Sequence, residues 1–530
     1  MLVRATAKSL LLPGALVLLL AGCTSAPPPY VPEAVTFDIP SEDVVGLSDG
    51  SVDHALEELP GIVERAMEAD GIPGVAVAVV QDDELLFSDG YGVRHLGEDG
   101  EVDDETVFQI ASLSKPIGAT VVATQVSQGV VDWTTPVAPL LDGFALEDPW
   151  VTEHVTVGDF YAHRSGLPMA AGDDLEDIGY DREYVIQHLR YEPLNPFRTT
   201  YGYANFGMTT GAEAVARAAG TDWESLSEQE LYEPLGMSST SSRYADFLEH
   251  ENRATLHSKV DGEWQALYER MPDAQSPAGG VSSNAVDMAK WLSLVIGNGV
   301  AAGDELIAPD AFLPARTAQI ISGHAALPDM RPGQYGYGFN TGVTATGRVS
   351  VSHSGAFTLG AATNFQVIPE LGLGIVVLTN AGPVGAAEAI AAEFIDVVQF
   401  GKSTRDWLTD YGNALGHYYE AAGDLVDQEP PASAEPPRPL AEYAGTYQNE
   451  YFGPAEVVAS GDTLTVRLGP DGGYELPLEQ WTGDTFAFVP TGENGPDGSL
   501  SSATFTVDGA GGGTLNLQFF DANGLGTWTR

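Results

Sequence analysis

The chain has 530 residues, 43% of them hydrophobic, which is enough for more than one domain and a large buried core. It carries 23 Lys and Arg against 75 Asp and Glu, a formal net charge of −52. So acidic a surface repels phosphate backbones and anionic headgroups, which argues against nucleic acid as a partner and against docking on lipid through the protein surface. Two explanations of the acidity stay open: solubility in high salt, or an ordinary acidic exported protein.

At the start, Arg4 and Lys8 accompany an apolar run over 10–20, followed by Leu20-Ala21-Gly22-Cys23. The run is too short to span a bilayer, and small residues follow it, as in a secretory signal. Cys23 is the only cysteine, so no internal disulfide can form. Its setting resembles the bacterial lipobox. That resemblance implies a lipoprotein signal peptide over 1–22, lipid on Cys23, and an exported protein anchored at the periplasmic or outer face of a bacterial membrane. Residues 23–50, with Pro27-Pro28-Pro29, read as a flexible tether.

The spacing of Leu56, Leu59, Ile62, Val63 and Met67 predicts a helix over 51–69, with Pro60-Gly61 as a candidate interruption. A continuous apolar run over 75–80, a turn at Gln81-Asp82-Asp83 and a return over 84–91 predict a hairpin. A long apolar helix is expected over 112–128, ending at Gly129. Helical pieces and loops fill 130–300. Strands are expected over 349–353, 361–368 and 373–379, and a helix over 386–398. Strands at both ends with helices between them predict an α+β domain over 51–428, one antiparallel sheet flanked by helices. A Pro-rich linker follows over 429–440. Short alternating runs with Gly-Asp turns then predict an all-β, barrel-like domain over 441–530.

Three motifs carry chemistry. Ser112-x-x-Lys115 opens a helix, so both side chains share one face and an amine stands beside a hydroxyl. Alone the motif is weak, since a capping serine and a surface lysine have the same spacing. Tyr203-x-Asn205 and His353-x-Gly355 follow in order. The set resembles the serine β-lactamase-related family, which includes class C β-lactamases, penicillin-binding proteins, DD-peptidases, D-aminopeptidases and β-lactamase-fold esterases. Flanking phrases at 163–168, 234–237 and 277–281 resemble it too. The likeness covers about 61–398. In the last domain, Tyr443-Ala444-Gly445-Thr446-Tyr447 resembles the opening of an appended lipocalin-like domain.

The resemblance implies a β-lactamase/transpeptidase-like fold and a serine hydrolase acting on an ester, amide or peptide bond of a small-molecule or peptide substrate. Ser112 would form an acyl-enzyme. Lys115 would manage its proton, and Tyr203 would pass a proton to the leaving group, which as a base requires a phenol well below its usual pKa of about 10. Asn205 would bond Lys115 and a substrate amide. Backbone N–H groups of Ser112 and Ala356, beside Gly355, would form the oxyanion hole. Where many relatives have lysine, this chain has His353, a weaker and pH-dependent anchor for a carboxylate. That shifts the expected chemistry away from β-lactams and leaves His353 to polarise or orient the acyl substrate instead. The alternative is a non-catalytic penicillin-binding-like protein that recognises cell-wall peptide.

Other features carry less. Tyr201 reads as loop packing and His163 as an organiser of Arg164 to Pro168. Gly46-Leu47-Ser48-Asp49-Gly50 fits a nucleophile-elbow pattern but lacks its strand. The acidic clusters at 98–105 and 173–177 read as solvated loops rather than calcium sites. No metal-ligand spacing or phosphate-binding loop occurs, so no cofactor and no metal are expected. Pocket walls are expected at 173–190 and 324–335. Oligomeric state is not readable from the sequence.

Overall fold

The structure is a computed structural model that describes residues 46–508 and 512–530. The signal segment, Cys23 and most of the tether lie outside the described residues. Among them, no helix is long and apolar enough to cross a membrane.

The first domain is built on an eight-stranded antiparallel sheet. Its strands are β1 (Gly74–Gln81), β2 (Glu84–Gly92), β3 (Ile320–Gly323), β4 (Gly333–Tyr335), β5 (Asn340–Val343), β6 (Val349–Phe357), β7 (Ala361–Ile368) and β8 (Leu373–Thr379). Their spatial order is β2-β1-β8-β7-β6-β5-β4-β3. Central β1 and β8 pair from Val75 opposite Thr379 to Gln81 opposite Leu373, and both are buried on two faces. That explains their continuous Val and Ile runs, since neither face can be polar. Asp82 and Asp83 turn the β1–β2 hairpin with φ of 47° and 69°, a left-handed pair that matches strand twist.

Helices α1 (Ser51–Asp70) and α2 (Ala386–Phe400, here the last large helix of the domain) cover one face of the sheet. Leu59, Ile62 and Val63 of α1 and Ile390 and Phe394 of α2 pack on Val77, Val79, Ile375 and Val377. Burying one such side chain is worth roughly 1.5–3 kcal/mol. α1 runs straight through Pro60, because buried Leu59, Ile62 and Val63 hold both sides of it. The opposite face takes Ala76, Ala78, Val376 and Leu378 and packs on the helices of residues 111–316. This is the α+β architecture expected from the sequence. Strands β3 to β5 escape the sequence pattern because they are only three or four residues long and partly exposed, with β3 at the edge of the sheet.

The second domain is an eight-stranded antiparallel sheet of Gly445–Tyr447, Ala455–Ser460, Thr463–Leu468, Tyr474–Thr482, Thr485–Phe488, Ser501–Val507, Gly513–Leu517 and Thr527–Thr529, paired in chain order. Gln448 and Thr529 exchange backbone hydrogen bonds of 2.7 and 2.9 Å, which draws the first and last strands together into a nearly closed barrel. The stretch 429–440 is strapped to it: Glu435 O accepts from Gly483 N at 2.8 Å.

The acids at 173–177 are not a solvated loop. They form a short helix, Asp173–Asp177, whose carboxyls lie under the barrel. The Tyr451 hydroxyl lies 2.8 Å from Asp174 Oδ1 and 2.7 Å from Glu192 Oε1. Asn523 Nδ2 donates to Glu192 at 2.9 Å, and Asn494 Nδ2 to Asp177 at 2.7 Å. Arg270 bridges Glu176 at 2.6 Å. The correction has a physical cause: the barrel removes water from this patch and supplies donors in its place.

Burial pushes the Asp174 and Asp177 carboxyls up to about 7. The unfolded chain titrates near 4, so between about 4 and 7 the folded state holds protons the unfolded state lacks. Stability from these groups is therefore present at low pH and lost as pH rises through that window. Thermal melts should show Tm rising from pH 8 to pH 5, and Asp174→Asn should shrink that rise. An unchanged pH slope in the variant would refute the assignment.

Candidate active site

Ser112 lies in a 3-10 turn, Ala111–Leu113, that leads into the apolar helix Ser114–Ser127. Ala111 has φ of 48°, in the left-handed region, so the chain enters the helix through a sharp turn. Ser114 pins that turn. Its Oγ donates to Ala111 O at 2.6 Å and accepts from Val281 N at 2.9 Å. Lys115, one turn on from Ser112, is 0% exposed. Its Nζ donates to Ser112 Oγ and to Ala278 O, both at 2.8 Å. The phrase Pro277-Ala278-Gly279-Gly280-Val281 thus supplies a carbonyl for the amine and an N–H for the turn.

Burial pulls the Lys115 ammonium down to about 7, and Asp173 partly opposes it. Nζ sits 4.6 Å from the Tyr203 ring centroid. The Tyr203 hydroxyl donates to Ser112 Oγ at 2.9 Å. Burial holds that phenol well above its ordinary value, opposite to the depressed phenol expected from sequence. Tyr203 is therefore a protonated donor, and Lys115 is the group that loses its proton near neutrality.

His163 organises the Tyr203 loop rather than only its own. Its carbonyl accepts from Gly202 N at 2.9 Å, and its Nδ1 accepts from Ala204 N at 3.2 Å. Its ring centroid lies 4.5 Å from that of Tyr203. Tyr201 packs on His163 and Tyr335, both at 5.6 Å, in the packing position expected of it.

His353 lies on β6 beside this cluster and is 4% exposed. Its Nδ1 lies 2.7 Å from Ser354 O and its Nε2 lies 2.9 Å from the Tyr335 hydroxyl. Nδ1 therefore carries the proton and Nε2 accepts from the tyrosine. Burial, helped by Lys115, lowers the ring to about 3. His353 is neutral throughout the physiological range and has no free donor, so it is not the pH-dependent carboxylate anchor expected.

Asn205 begins the helix Asn205–Ala219, and its side chain departs from the expected contact. Its Nδ2 donates to Asp173 Oδ2 at 3.0 Å, while Oδ1 is buried and makes no hydrogen bond to Lys115 or any other group. Asp173 is the site residue that sequence reasoning missed. Gly172, with φ of 89°, turns the chain to present it; a Cβ there would lie 2.6 Å from Val185 Cγ1. The only signal in the sequence was an acidic run interleaved with Leu175 and Ile178. Of the two expected pocket walls, 173–190 contributes Asp173, and 324–335 contributes Tyr335.

Pairing of β5 with β6 ends at Ser352, so Gly355 and Ala356 have no strand on that side. Gly355 packs against the nucleophile turn: a Cβ on it would lie 2.3 Å from Thr363 Oγ1, 2.4 Å from Ile110 O and 3.1 Å from Ser112 N. Only glycine lets β6 approach the Ser112 amide so closely. Ser48, in the elbow-like phrase, merely precedes α1, its carbonyl accepting from Ser51 N at 3.1 Å. Among the described residues, no group of three or more His, Cys, Asp or Glu is arranged to hold a metal ion.

A sheet flanked by helices, with a buried lysine under a serine at a helix entry, defines a serine hydrolase of β-lactamase fold. The Beta-lactamase family profile matches residues 59–400, and the chain belongs to that family of serine hydrolases. A domain of unknown function, DUF3471, matches residues 429–523. An unguisins hydrolase of Aspergillus campestris is 27% identical over 429 residues, covering 76% of this chain and 78% of its own. Penicillin-binding protein 4 of Amycolatopsis lactamdurans is 26% identical over 392 residues, 72% of this chain and 94% of its own. Among solved structures, the octameric penicillin-binding protein homologue from Pyrococcus abyssi has a TM-score of 0.59 at 19% identity, covering 90% of this chain and 100% of that one. A class C β-lactamase from Rhodobacter sphaeroides has a TM-score of 0.53 at 20% identity, covering 64% of this chain and 98% of that one. These two likenesses speak for the fold.

The close approach of β6 yields a prediction. Gly355→Ala forces strand and turn apart, so turnover should fall by about 10²-fold or more, the scale of one lost oxyanion donor, while the circular dichroism spectrum is retained. Turnover within twofold of wild type would contradict the packing argument.

Proposed function

We propose that the protein is an exported, lipid-anchored serine hydrolase of the bacterial cell envelope, in which Ser112 forms an acyl-enzyme on an ester, amide or peptide bond. The observation that carries this is the convergence of Lys115 Nζ and the Tyr203 hydroxyl on Ser112 Oγ, at 2.8 and 2.9 Å. Neutral Lys115 takes the Ser112 proton as Oγ bonds to the carbonyl carbon. Ser112 and Ala356 N–H groups stabilise the oxyanion. Tyr203 gives its proton to the departing nitrogen or oxygen and is reprotonated from Lys115. Water then attacks the acyl-enzyme by the reverse proton path, releasing the acid and restoring Ser112. A neutral His353 offers no cation to a substrate carboxylate, which supports ester, amide or peptide cleavage over β-lactam hydrolysis. The hydrolase and penicillin-binding names of the relatives support the same reading.

Two measurements test this. A fluorophosphonate probe should label wild-type protein and not Ser112→Ala, and kcat/KM for p-nitrophenyl butyrate should rise with pH through about 7, the Lys115 value. Lys115→Arg should lose about 10²- to 10⁴-fold. No adduct on folded wild-type protein would favour a peptide-recognising, non-catalytic role. For the anchor, cells expressing the full chain should incorporate labelled palmitate into the wild type and not into Cys23→Ala; equal labelling of both would remove the lipoprotein reading.

A further inference from the structure

A cavity of about 880 Å³ lies in the helical layer, between the helix Arg182–His188, the end of the helix Asn205–Ala219 and the segments around Leu141 and Met271. That volume falls in the range of about 300–1,000 Å³ that ligand sites occupy. Ser112, Lys115, Tyr203 and His353 do not line it, so it is not the cleft described above. Leu140, Leu141, Phe144, Ile186 and Met271 give it apolar walls, and Met271 is left 63% exposed. Its charge is one-sided. Arg182, Arg243 and Arg270 line it, but each is held in an ion pair: with Glu213 and Glu224, with Asp222 and Glu228, and with Glu176. Among the described residues, the lining carboxylates Asp142, Asp181, Glu183 and Asp273 form no ion pair, and Arg217 is the one lining cation that forms none.

Acidic side chains around an apolar hollow attract cations without selecting one. A second observation does the selecting. Glu176 and Arg270 line the same cavity and are only 8% and 9% exposed. Their bridge, from Arg270 Nη2 to Glu176 Oε2 at 2.6 Å, uses one atom of each. Glu176 Oε1 is left as a buried acceptor without a partner, and Arg270 Nε as a buried donor without one. A cation would satisfy the first alone, and an anion the second alone. An amide group carries a donor and an acceptor together and can satisfy both. We propose that this cavity is a second binding site, which takes a short basic peptide: a peptide group meets Glu176 and Arg270, aliphatic stems lie on Leu141 and Met271, and the cationic ends face Asp142 and Glu183. The site adjoins the nucleophile turn from behind. Arg270 O accepts from Gln109 Nε2 at 2.7 Å, shortly before Ser112 in the chain, and the guanidinium lies 5.3 Å from the ring centroid of Phe357, next after Ala356 on β6. The proposal does not depend on the hydrolase reading.

The test is calorimetry on the full chain, at neutral pH and low salt, with N-acetyl-dilysine amide, N-acetyl-diglutamate amide and spermidine. The dilysine amide should bind one to one, and about tenfold or more tightly than either other compound: the diglutamate has the wrong charge, and spermidine has charge without amides. A chain of net charge −52 attracts any cation, so the location needs its own control. Asp142→Asn combined with Glu183→Gln, both exposed, should weaken the dilysine amide about tenfold. An unchanged Kd in that variant would overturn the site. Spermidine binding as tightly as the dilysine amide would overturn the peptide assignment. Labelling Ser112 beforehand with a fluorophosphonate should leave the Kd within about twofold of its first value. Loss of binding after labelling would put the peptide in the catalytic cleft and overturn the proposal. If no label enters, the hydrolase reading fails, and the variant comparison still decides this one.

Discussion

Lys115 is held entirely out of water beneath Ser112, and the rest of the site follows from that burial. A charged ammonium in such a place is expensive, and the cost is relieved in two ways: the amine is surrounded by acceptors, and its proton is loosened. Ala278 O, Ser112 Oγ and the Tyr203 ring supply the first. A titration near neutrality is the second. The same low-dielectric surroundings raise the phenol of Tyr203, which keeps its proton, and lower the His353 ring as they lower Lys115, so that the imidazole is neutral near pH 7. One constraint therefore sorts three titratable groups into an amine that titrates near neutrality, a protonated donor and a neutral ring.

The catalytic domain and the barrel are joined by the same physics. Asp174, Asp177 and Glu192 lose water where the barrel covers them, and Tyr451, Asn494 and Asn523 stand in for it, while Glu493 of the barrel loop accepts from Thr358 N of the first domain. In a chain of net charge −52, the barrel spends hydroxyl and amide donors on this interface rather than additional cations. It also places Glu493 beside the end of β6, so a residue far along the chain borders the cleft.

Much of the fold was legible from periodicity. The apolar runs of β1 and β8 are buried on both faces and look it, and α1 and α2 carry apolar stripes that meet the sheet. Strands β3 to β5 were not legible, because three or four partly exposed residues leave no pattern. At the site, Ser112, Lys115 and Tyr203 were legible as motifs and do converge. Asp173 was not, since an acidic run on paper looks solvated whatever later covers it.

The sequence alone determined which groups are present and which lie one turn apart: a serine and a lysine on one helix face, a tyrosine two residues before an asparagine, a glycine where β6 must pass close. Those are local facts set by helical pitch and backbone sterics. Only the tertiary structure decided their charge states and partners. Burial of Lys115, Tyr203 and His353, and the turning of Asn205 toward Asp173, arise from segments distant along the chain excluding water together. Desolvation is a property of the packed whole, and no spacing along the chain encodes it.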